Sequence, residues 1–122
     1  MATDGARPVV LVVDDEPAIR LLCRVNLEFE GYEVLEAATI AAAQDALSNG
    51  GVALVLLDMH IGLDDGMVLL RDILSREPRV PVAVVSGSTD IHHEDYSLAD
   101  AVLAKPFTID QLTDTVRTLA AR

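Results

Sequence analysis

Apolar residues along this chain fall into short continuous runs that are separated by segments with helical spacing. The clearest runs are Val9–Val13, Val52–Leu57 and Val80–Val85. They are rich in Val and Leu and do not alternate with polar residues, which is typical of strands covered by helices on both faces of a parallel sheet. We therefore predict that these runs are buried strands.

The segments between the runs carry apolar residues on one helical face, which predicts that helices alternate with the strands. Two such faces consist of Ile19, Leu22, Cys23 and Leu27 on one segment and Met67, Leu70, Ile73 and Leu74 on a later one. The predicted elements are strand 8–13, helix 16–30, strand 33–37, helix 39–49, strand 52–57, helix 65–76, strand 81–86, a short helix near 90–97, strand 101–104 and helix 109–121.

The last helix has the strongest local signals. Thr108 is followed three residues later by Gln111, which is a capping-box pattern. The apolar stripe that follows consists of Ile109, Leu112, Val116 and Leu119. Alternating strands and helices with right-handed crossovers predict a (βα)₅ fold, an α/β three-layer sandwich with a doubly wound parallel sheet.

Composition narrows the class of protein. With 122 residues, 51% of them hydrophobic, the chain suits one domain with a substantial core. A formal net charge of −11 disfavours binding to nucleic-acid phosphates, so we expect no direct nucleic-acid contact. The lone Cys23 excludes an internal disulfide framework, which favours a cytoplasmic location. No apolar run approaches the roughly 20 residues of a membrane-spanning helix, so we expect no membrane insertion.

Polar and charged side chains follow four of the predicted strands. In open α/β sheets, ligands bind beyond the carboxyl ends of the strands, so these side chains are the candidates for a functional site. In chain order they are Asp14, Asp15 and Glu16 after the first strand, Asp58 after the third, Ser86 after the fourth and Lys105 after the fifth.

Three carboxylates that meet at one edge of a sheet repel one another, and at least one takes up a proton unless a cation is present. Asp14, Asp15 and Asp58 therefore predict a metal site. Oxygen ligands without cysteine suit a hard ion. A few carboxylates with positions left for water and phosphate oxygens suit Mg²⁺, for which Mn²⁺ can substitute.

A carboxylate beside Mg²⁺ can attack a phosphoryl group and form an aspartyl phosphate, and Asp58 is the best-placed candidate for this nucleophile. Phosphoryl transfer also requires an ammonium group and a hydroxyl near the phosphoryl oxygens, which Lys105 and Ser86 supply. Lys105 is the only lysine in the chain, which fits a site that needs a compact point charge.

Four segments resemble the receiver domain of two-component response regulators, in the same order and over nearly the whole chain from Pro8 to the final helix. They are VVLVVDDEPAIR, ALVLLDMHIGLDDG, PVAVVSGS and AVLAKPF. The resemblance implies a flavodoxin-like fold with parallel strand order 2-1-3-4-5. We also expect a single-domain response regulator, with a short N-terminal extension at 1–7, a receiver domain at 8–122 and no output domain on this chain. The alternative, a receiver fragment of a longer regulator or hybrid kinase, stays open.

The resemblance assigns the acidic residues of the candidate site. Asp58 corresponds to the phosphoacceptor and Asp15 to a direct Mg²⁺ ligand. Asp14 corresponds to an acidic residue that acts largely through water. The backbone carbonyl of His60 corresponds to a further metal ligand, whereas its imidazole is expected to face solvent.

The resemblance also assigns the residues around the phosphoryl group. Ser86 corresponds to the switch hydroxyl, and Lys105 to the lysine that pairs with the phosphoryl group. The side chains of His60 and Ser88 correspond to positions that tune the lifetime of the aspartyl phosphate. The Lys105–Pro106 peptide bond is commonly cis in this family, which proline makes accessible.

The family mechanism implies the partners of this chain. A histidine kinase or a histidine phosphotransfer protein donates the phosphoryl group, and kinase docking is expected near Pro17–Asn26 and Pro106–Ile109. The face formed by the fourth helix, the fifth strand and the last helix then rearranges and contacts a downstream protein. Receivers are signalling phosphoacceptors rather than enzymes, although they assist their own phosphorylation and dephosphorylation.

Several positions depart from the family pattern. Val102 stands where an aromatic residue is usual, so the aromatic rotamer switch is absent. The stretch from Ser86 to Lys105 is about one helical turn shorter than usual. Leu98 and Gly62 replace a usual glycine and a usual proline. These departures keep open an alternative, a pseudo-receiver that binds proteins independently of phosphorylation.

A metal-dependent phosphatase of the haloacid-dehalogenase type is disfavoured, because His60 stands where that class needs a second aspartate. The individual residues also have simpler structural interpretations. These are a helix N-cap for Asp14 and Asp15, a loop residue for Asp58, a turn residue for Ser86, a surface lysine for Lys105, a solvated helix start for His92 and His93, and a core position for Cys23.

Overall fold

A computed structural model describes residues 7–61, 64–87 and 97–121 of the chain. In chain order, its elements are β1 (Val9–Val13), α1 (Pro17–Phe29), β2 (Glu33–Ala37), α2 (Ile40–Ser48), β3 (Val52–Asp58), β4 (His60–Ile61), β5 (Asp64–Asp65), α3 (Gly66–Ser75), β6 (Val82–Gly87), β7 (Ala101–Lys105) and α4 (Ile109–Ala120). None of these helices is long and apolar enough to span a membrane.

The five long strands form one sheet with the order β2-β1-β3-β6-β7, and every neighbouring pair is parallel. Counted over the long strands alone, this is the predicted order 2-1-3-4-5. All carboxyl ends therefore lie at one edge of the sheet, where the order reverses between β1 and β3. The predicted fold class is confirmed.

Helices cover both faces of the sheet. Alternate residues of each strand point to opposite faces and therefore belong to two separate hydrophobic clusters. Leu11 and Val13 belong to the cluster that packs under α2 and α3. Val10 and Val12 belong to the cluster under α1 and α4, which also contains the buried Cys23. The absence of apolar and polar alternation in the strand sequences follows from this three-layer arrangement.

The capping box of α4 is present. Thr108 Oγ1 accepts a hydrogen bond from the Gln111 amide at 3.0 Å, and Gln111 Oε1 accepts one from the Thr108 amide at 2.9 Å. The apolar stripe is narrower than predicted, because Ile109 is 37% exposed while Leu112, Val116 and Leu119 are buried. Ile109 is the first residue of the helix, where the chain enters from the surface.

The boundaries of the described elements agree with the predicted ones to within one residue. The predicted short helix near 90–97 lies mostly outside the described residues, and the described chain resumes in a 3₁₀ turn at Ser97 and Leu98. The antiparallel pair of β4 and β5 was not predicted. Each of its strands has only two residues, which is too short for hydrophobic periodicity to reveal.

Candidate functional site

The three predicted carboxylates meet at the carboxyl edge of the sheet. Asp14 and Asp58 each follow the paired residues Val13 and Leu57 on the neighbouring strands β1 and β3, so the parallel register brings them side by side. Asp14, Asp15 and Asp58 each offer a carboxylate oxygen within 4.8 Å of the other two. Asp14 and Asp58 are buried, whereas Asp15 is exposed.

The Asp14 side chain is held by two donors. Its Oδ1 atom accepts a hydrogen bond from the Glu16 amide at 2.9 Å, and its Oδ2 atom lies 3.4 Å from Lys105 Nζ. The N-cap of α1 is Glu16, whose side chain makes no capping hydrogen bond, and Pro17 follows at the first helical position. The N-cap interpretation of Asp14 and Asp15 is therefore wrong, because both residues precede the cap.

Lys105 joins the two buried aspartates. Its Nζ atom, at the end of the edge strand β7, lies 3.4 Å from Asp14 Oδ2 and 3.5 Å from Asp58 Oδ2. Glu16 Oε1 is 4.0 Å away. Asp58 Oδ1 accepts a hydrogen bond from the His60 amide at 3.1 Å, so each Asp58 oxygen has a donor among the described residues. Asp58 is the last residue of β3 rather than a loop residue, and Lys105 is a partly buried lysine in contact with both aspartates rather than a surface lysine.

The electrostatics of this edge follow from burial and from the mutual contacts. Burial raises the pKa of Asp58, and the Asp14 carboxylate raises it further, while the His60 amide and Lys105 oppose that rise. Burial alone would lower the pKa of Lys105, but Asp58 and Asp14 outweigh burial and raise it. Lys105 is therefore an ammonium at neutral pH, and the buried carboxylates favour a further cation.

The donor set fits a divalent cation such as Mg²⁺. Asp14, Asp15 and Asp58 bring three carboxylates, and Lys105 is the ammonium beside them, so a net negative charge remains when all are ionised. The ligands at this cluster are oxygens, which hard cations prefer. The His60 side chain is exposed, as predicted, which leaves its backbone carbonyl as the group that the family pattern would assign to the metal.

Ser86 and Val102 lie on the last two strands of the sheet. Ser86 is fully buried in β6, one residue beyond Val85, which pairs with Asp58. Its hydroxyl donates to the Gly87 carbonyl at 3.4 Å. Ser86 is a strand residue and not a turn residue, because β6 runs from Val82 to Gly87. Val102 is 38% exposed on β7 and lines a surface groove of about 430 Å³ between this strand and α4.

Several predicted positions lie outside the described residues. They are Gly62, Ser88, His92 and His93. Cys23 lies in the core, and burial, with a smaller contribution from Asp14, raises the pKa of its thiol to about 11. The Lys105–Pro106 peptide bond is cis, and so is Glu77–Pro78.

A close backbone contact supports the segment that follows Asp58. The Gly66 amide donates to the Met59 carbonyl at 2.9 Å, and Asp65 caps α3 through a hydrogen bond from the Met67 amide to its Oδ1 atom at 2.9 Å. A Cβ atom on Gly66 would lie 2.7 Å from Met59 Cα and 3.1 Å from the Asp58 carbonyl oxygen. Asp65 and Gly66 end the segment ALVLLDMHIGLDDG, but no pattern within that segment reveals the backbone that Gly66 contacts.

We expect Gly66→Ala to lower the free energy of unfolding by about 2 kcal/mol, because an added methyl group must displace backbone rather than a flexible side chain. Urea unfolding measures this change. Gly87→Ala is the matched control, since no atom lies within 4 Å of a Cβ built there, and it should shift stability by less than about 0.5 kcal/mol. Equal stability of the two variants would contradict the close contact.

The chain is similar to several known proteins. The sequence profile of the response regulator receiver domain matches residues 10–117. Sporulation initiation phosphotransferase F of Bacillus subtilis is 34% identical over 111 residues, which cover 88% of this chain and 90% of that protein. The chain spans only about a quarter to a half of the length of several transcriptional regulators that it also matches.

Solved structures of receivers have the same fold. A CheY-like receiver domain protein from Methanospirillum hungatei superimposes with a TM-score of 0.87 at 29% identity, covering 95% of each chain. The response regulator TrrA of Thermotoga maritima, solved in complex with Mg²⁺-BeF, superimposes with a TM-score of 0.84 at 29% identity, covering 92% of this chain and 98% of that one.

Receiver domains are signalling phosphoacceptors that bind Mg²⁺ through an aspartate cluster and interact with histidine kinases or phosphotransfer proteins. The family profile covers most of the chain, the sheet has the order of the fold, and three aspartates lie at the edge where receivers carry their acidic cluster. The chain therefore belongs to the receiver domain family of two-component response regulators.

Proposed function

We propose that Asp58 of this receiver accepts a phosphoryl group from a phosphohistidine of a histidine kinase or a histidine phosphotransfer protein, in a Mg²⁺-dependent reaction. The observation that carries this proposal is the position of Lys105, whose ammonium lies 3.5 Å from Asp58 and 3.4 Å from Asp14 at the carboxyl edge of the sheet. A buried aspartate with an ammonium and two further carboxylates around it has the groups that phosphoryl transfer to a carboxylate requires.

The transfer balances without a further reactant. An ionised oxygen of Asp58 attacks phosphorus, and the bond between phosphorus and the donor imidazole nitrogen breaks. That nitrogen keeps the electron pair, and because the other ring nitrogen carries a proton, the donor leaves as neutral imidazole. Asp58 must be ionised to attack, and the ammonium of Lys105 favours the ionised form. The same ammonium is placed to neutralise negative charge on the phosphoryl oxygens as they approach.

The other residues of the site orient the nucleophile and complete the charge balance. The His60 amide holds Asp58 Oδ1, which limits rotation of the carboxylate. Asp14 and Asp15, with Asp58 and the His60 carbonyl, are the groups that would hold Mg²⁺. Bound Mg²⁺ would supply positive charge that offsets the negative charge of the phosphoryl oxygens. Ser86 supplies the switch hydroxyl from the neighbouring strand β6.

Control and output of the phosphorylated state belong to the same proposal. The side chains of His60 and Ser88 tune the lifetime of the aspartyl phosphate, which the domain helps to hydrolyse. Val102 has no aromatic ring that could change rotamer. A conformational change on the face of β7 and α4 must therefore follow phosphorylation without an aromatic switch at this position. Residues 8–122 act as one receiver unit in the cytoplasm, and the phosphorylated form signals through contacts with a downstream protein.

The experiment is intact-mass spectrometry of the wild-type chain after incubation with Mg²⁺ and a small phosphoryl donor. We expect one added phosphoryl group. Brief treatment with hydroxylamine should remove it, because acyl phosphates react with this nucleophile whereas phosphoserine does not. Excess chelator should suppress the adduct, because three carboxylates and one ammonium leave the phosphoryl oxygens without enough positive charge.

Two results would contradict the proposal. An adduct that resists hydroxylamine would place the phosphoryl group on a residue other than an aspartate. No adduct from the small donor, from a phosphorylated phosphotransfer protein or from an autophosphorylated histidine kinase, together with no Mg²⁺ binding in calorimetry, would favour a pseudo-receiver that binds partners independently of phosphorylation.

A further inference from the structure

Arg20 is a basic residue near the acidic cluster, and the proposed chemistry does not use this residue. It lies in the first turns of α1, where its amide donates to the Glu16 carbonyl at 3.1 Å. Its side chain turns back toward the start of the helix, as helical side chains do. There Nη1 donates to the backbone carbonyl of Asp14 at 2.8 Å, and Nε donates to Glu36 Oε1 at 2.9 Å.

The contact with Asp14 completes the hydrogen bonding of that residue. The Asp14 amide donates to the Ala37 carbonyl at 3.1 Å, which extends the pairing of β1 with β2 by one residue. The two carboxylate oxygens face Glu16 and Lys105. The carbonyl lies beyond the last residue of β1, where the strand pairing ends, and the guanidinium of Arg20 is its donor.

Fixing this carbonyl also fixes the residue that follows. The carbonyl oxygen of Asp14 and the amide of Asp15 belong to one planar peptide group. A donor that holds the oxygen therefore sets the orientation of the plane, and with it the direction in which the Asp15 side chain leaves the backbone. Asp14 and Asp15 are two of the three members of the acidic cluster.

Glu36 is the anchor of Arg20 on the sheet. Its two carboxylate oxygens accept hydrogen bonds from Arg20 Nε at 2.9 Å and from Arg24 Nε at 2.7 Å. The bonds from Arg24 and Arg20 outweigh partial burial and lower the pKa of Glu36. The side chain of Arg20 is only 17% exposed, so it is held between β2 and the loop that carries the aspartates.

We propose that Arg20, anchored by Glu36, is a positioning residue for the metal site, acting through the peptide group between Asp14 and Asp15. Its guanidinium contacts a backbone carbonyl rather than the carboxylates of the cluster. Its role is therefore to orient ligands, not to neutralise the phosphoryl group, which the proposed function assigns to Lys105 and the metal. The inference rests on that proposed function, because it concerns the same metal site.

The test compares Arg20→Met with Arg24→Met by calorimetric titration with Mg²⁺. Both variants lose one positive charge and one hydrogen bond to Glu36, but only Arg20 contacts Asp14. We expect Arg20→Met to raise the dissociation constant for Mg²⁺ about tenfold, as is usual when a residue that orients metal ligands is lost. Arg24→Met should change it less than about twofold, since it leaves the Asp14 contact in place.

Two further measurements separate positioning from charge and from general unfolding. Arg20→Lys keeps the positive charge but lacks the planar guanidinium that donates to the Asp14 carbonyl and to Glu36 at the same time. This variant should therefore still weaken Mg²⁺ binding several-fold. Hydrogen exchange of the Glu16 amide, which donates to Asp14 Oδ1, should become several-fold faster in Arg20→Met without any metal, and should stay unchanged in Arg24→Met.

Wild-type affinity in Arg20→Lys, or equal losses in Arg20→Met and Arg24→Met, would overturn the inference and leave the proposed function intact. Such results would mean that Arg20 affects Mg²⁺ affinity through its charge alone. Absence of both Mg²⁺ binding and phosphorylation in the wild-type chain would overturn the proposed function and this inference together. If Arg20→Met does not fold, the Mg²⁺ affinity of Arg20→Lys decides whether Arg20 acts by positioning the ligands or by its charge alone.

Discussion

Replacing Asp58 with asparagine is expected to abolish phosphorylation of the chain by a small donor in the presence of Mg²⁺. The amide has nearly the shape of the carboxylate but lacks the ionised oxygen that attacks phosphorus, so the rate should fall by more than roughly a hundredfold. Intact-mass spectrometry over a time course measures this loss. Asp15 is more exposed than Asp58, but Asp58 is the aspartate that ends the central strand β3. We therefore expect Asp15 to remain unphosphorylated in Asp58→Asn.

The matched control is Asp45→Asn, which makes the same chemical change on an exposed position of α2. It should be phosphorylated at the wild-type rate. Asp58→Asn removes one negative charge from a cluster of three carboxylates that repel one another. In the absence of divalent cations, this change should not lower the free energy of unfolding, so loss of folding cannot explain the expected result. A full adduct on Asp58→Asn would show that another residue is the phosphoacceptor.

Replacing Lys105 with methionine is expected to slow phosphorylation roughly a hundredfold, which is the usual effect of losing one group that stabilises charge in the transition state. The ammonium lies 3.5 Å from Asp58 Oδ2, and methionine retains most of the aliphatic stem while removing the charge. Arg117→Met is the matched control, because Arg117 is a cation on the exposed surface of α4, and its loss should leave the rate unchanged.

The shape of the lysine contributes as well as its charge. Lys105 Nζ lies within 3.5 Å of both Asp14 and Asp58, a position that suits a compact ammonium better than a planar guanidinium. We therefore expect Lys105→Arg to recover only part of the lost rate. Wild-type phosphorylation of Lys105→Met at low donor concentration, with normal stability in urea, would remove this residue from the proposed mechanism.

Hydrophobic patterning was sufficient to predict most of the secondary structure. The apolar runs became strands and the periodic segments became helices, because strands buried on both faces need continuous apolar residues and surface helices need one apolar face. The capping box at Thr108 was also local, since its two hydrogen bonds join residues three positions apart. The pattern did not reveal β4 and β5, because these two-residue strands have no periodicity.

Part of the candidate site was also predictable. In a parallel sheet all carboxyl ends lie at one edge, so residues that follow neighbouring strands must approach one another. Asp14 and Asp58 follow this rule, and Lys105 reaches both from the edge strand although it is 91 positions from Asp14 in the chain. The simpler interpretation of Asp14 and Asp15 as helix N-caps was wrong, because Glu16 is the N-cap, although either aspartate would have been an acceptable capping residue on local grounds.

The sequence by itself determined the order of elements, the parallel sheet and the chemical groups collected at its edge, because these depend on local periodicity and on one rule of topology. Only the tertiary structure decided how those groups are held. The contact of Gly66 with Met59 and the bridge from Arg20 to Asp14 and Glu36 depend on backbone positions set by the packed sheet and helices. Such contacts join segments that are separate in the chain, and no local pattern of residues encodes their distance.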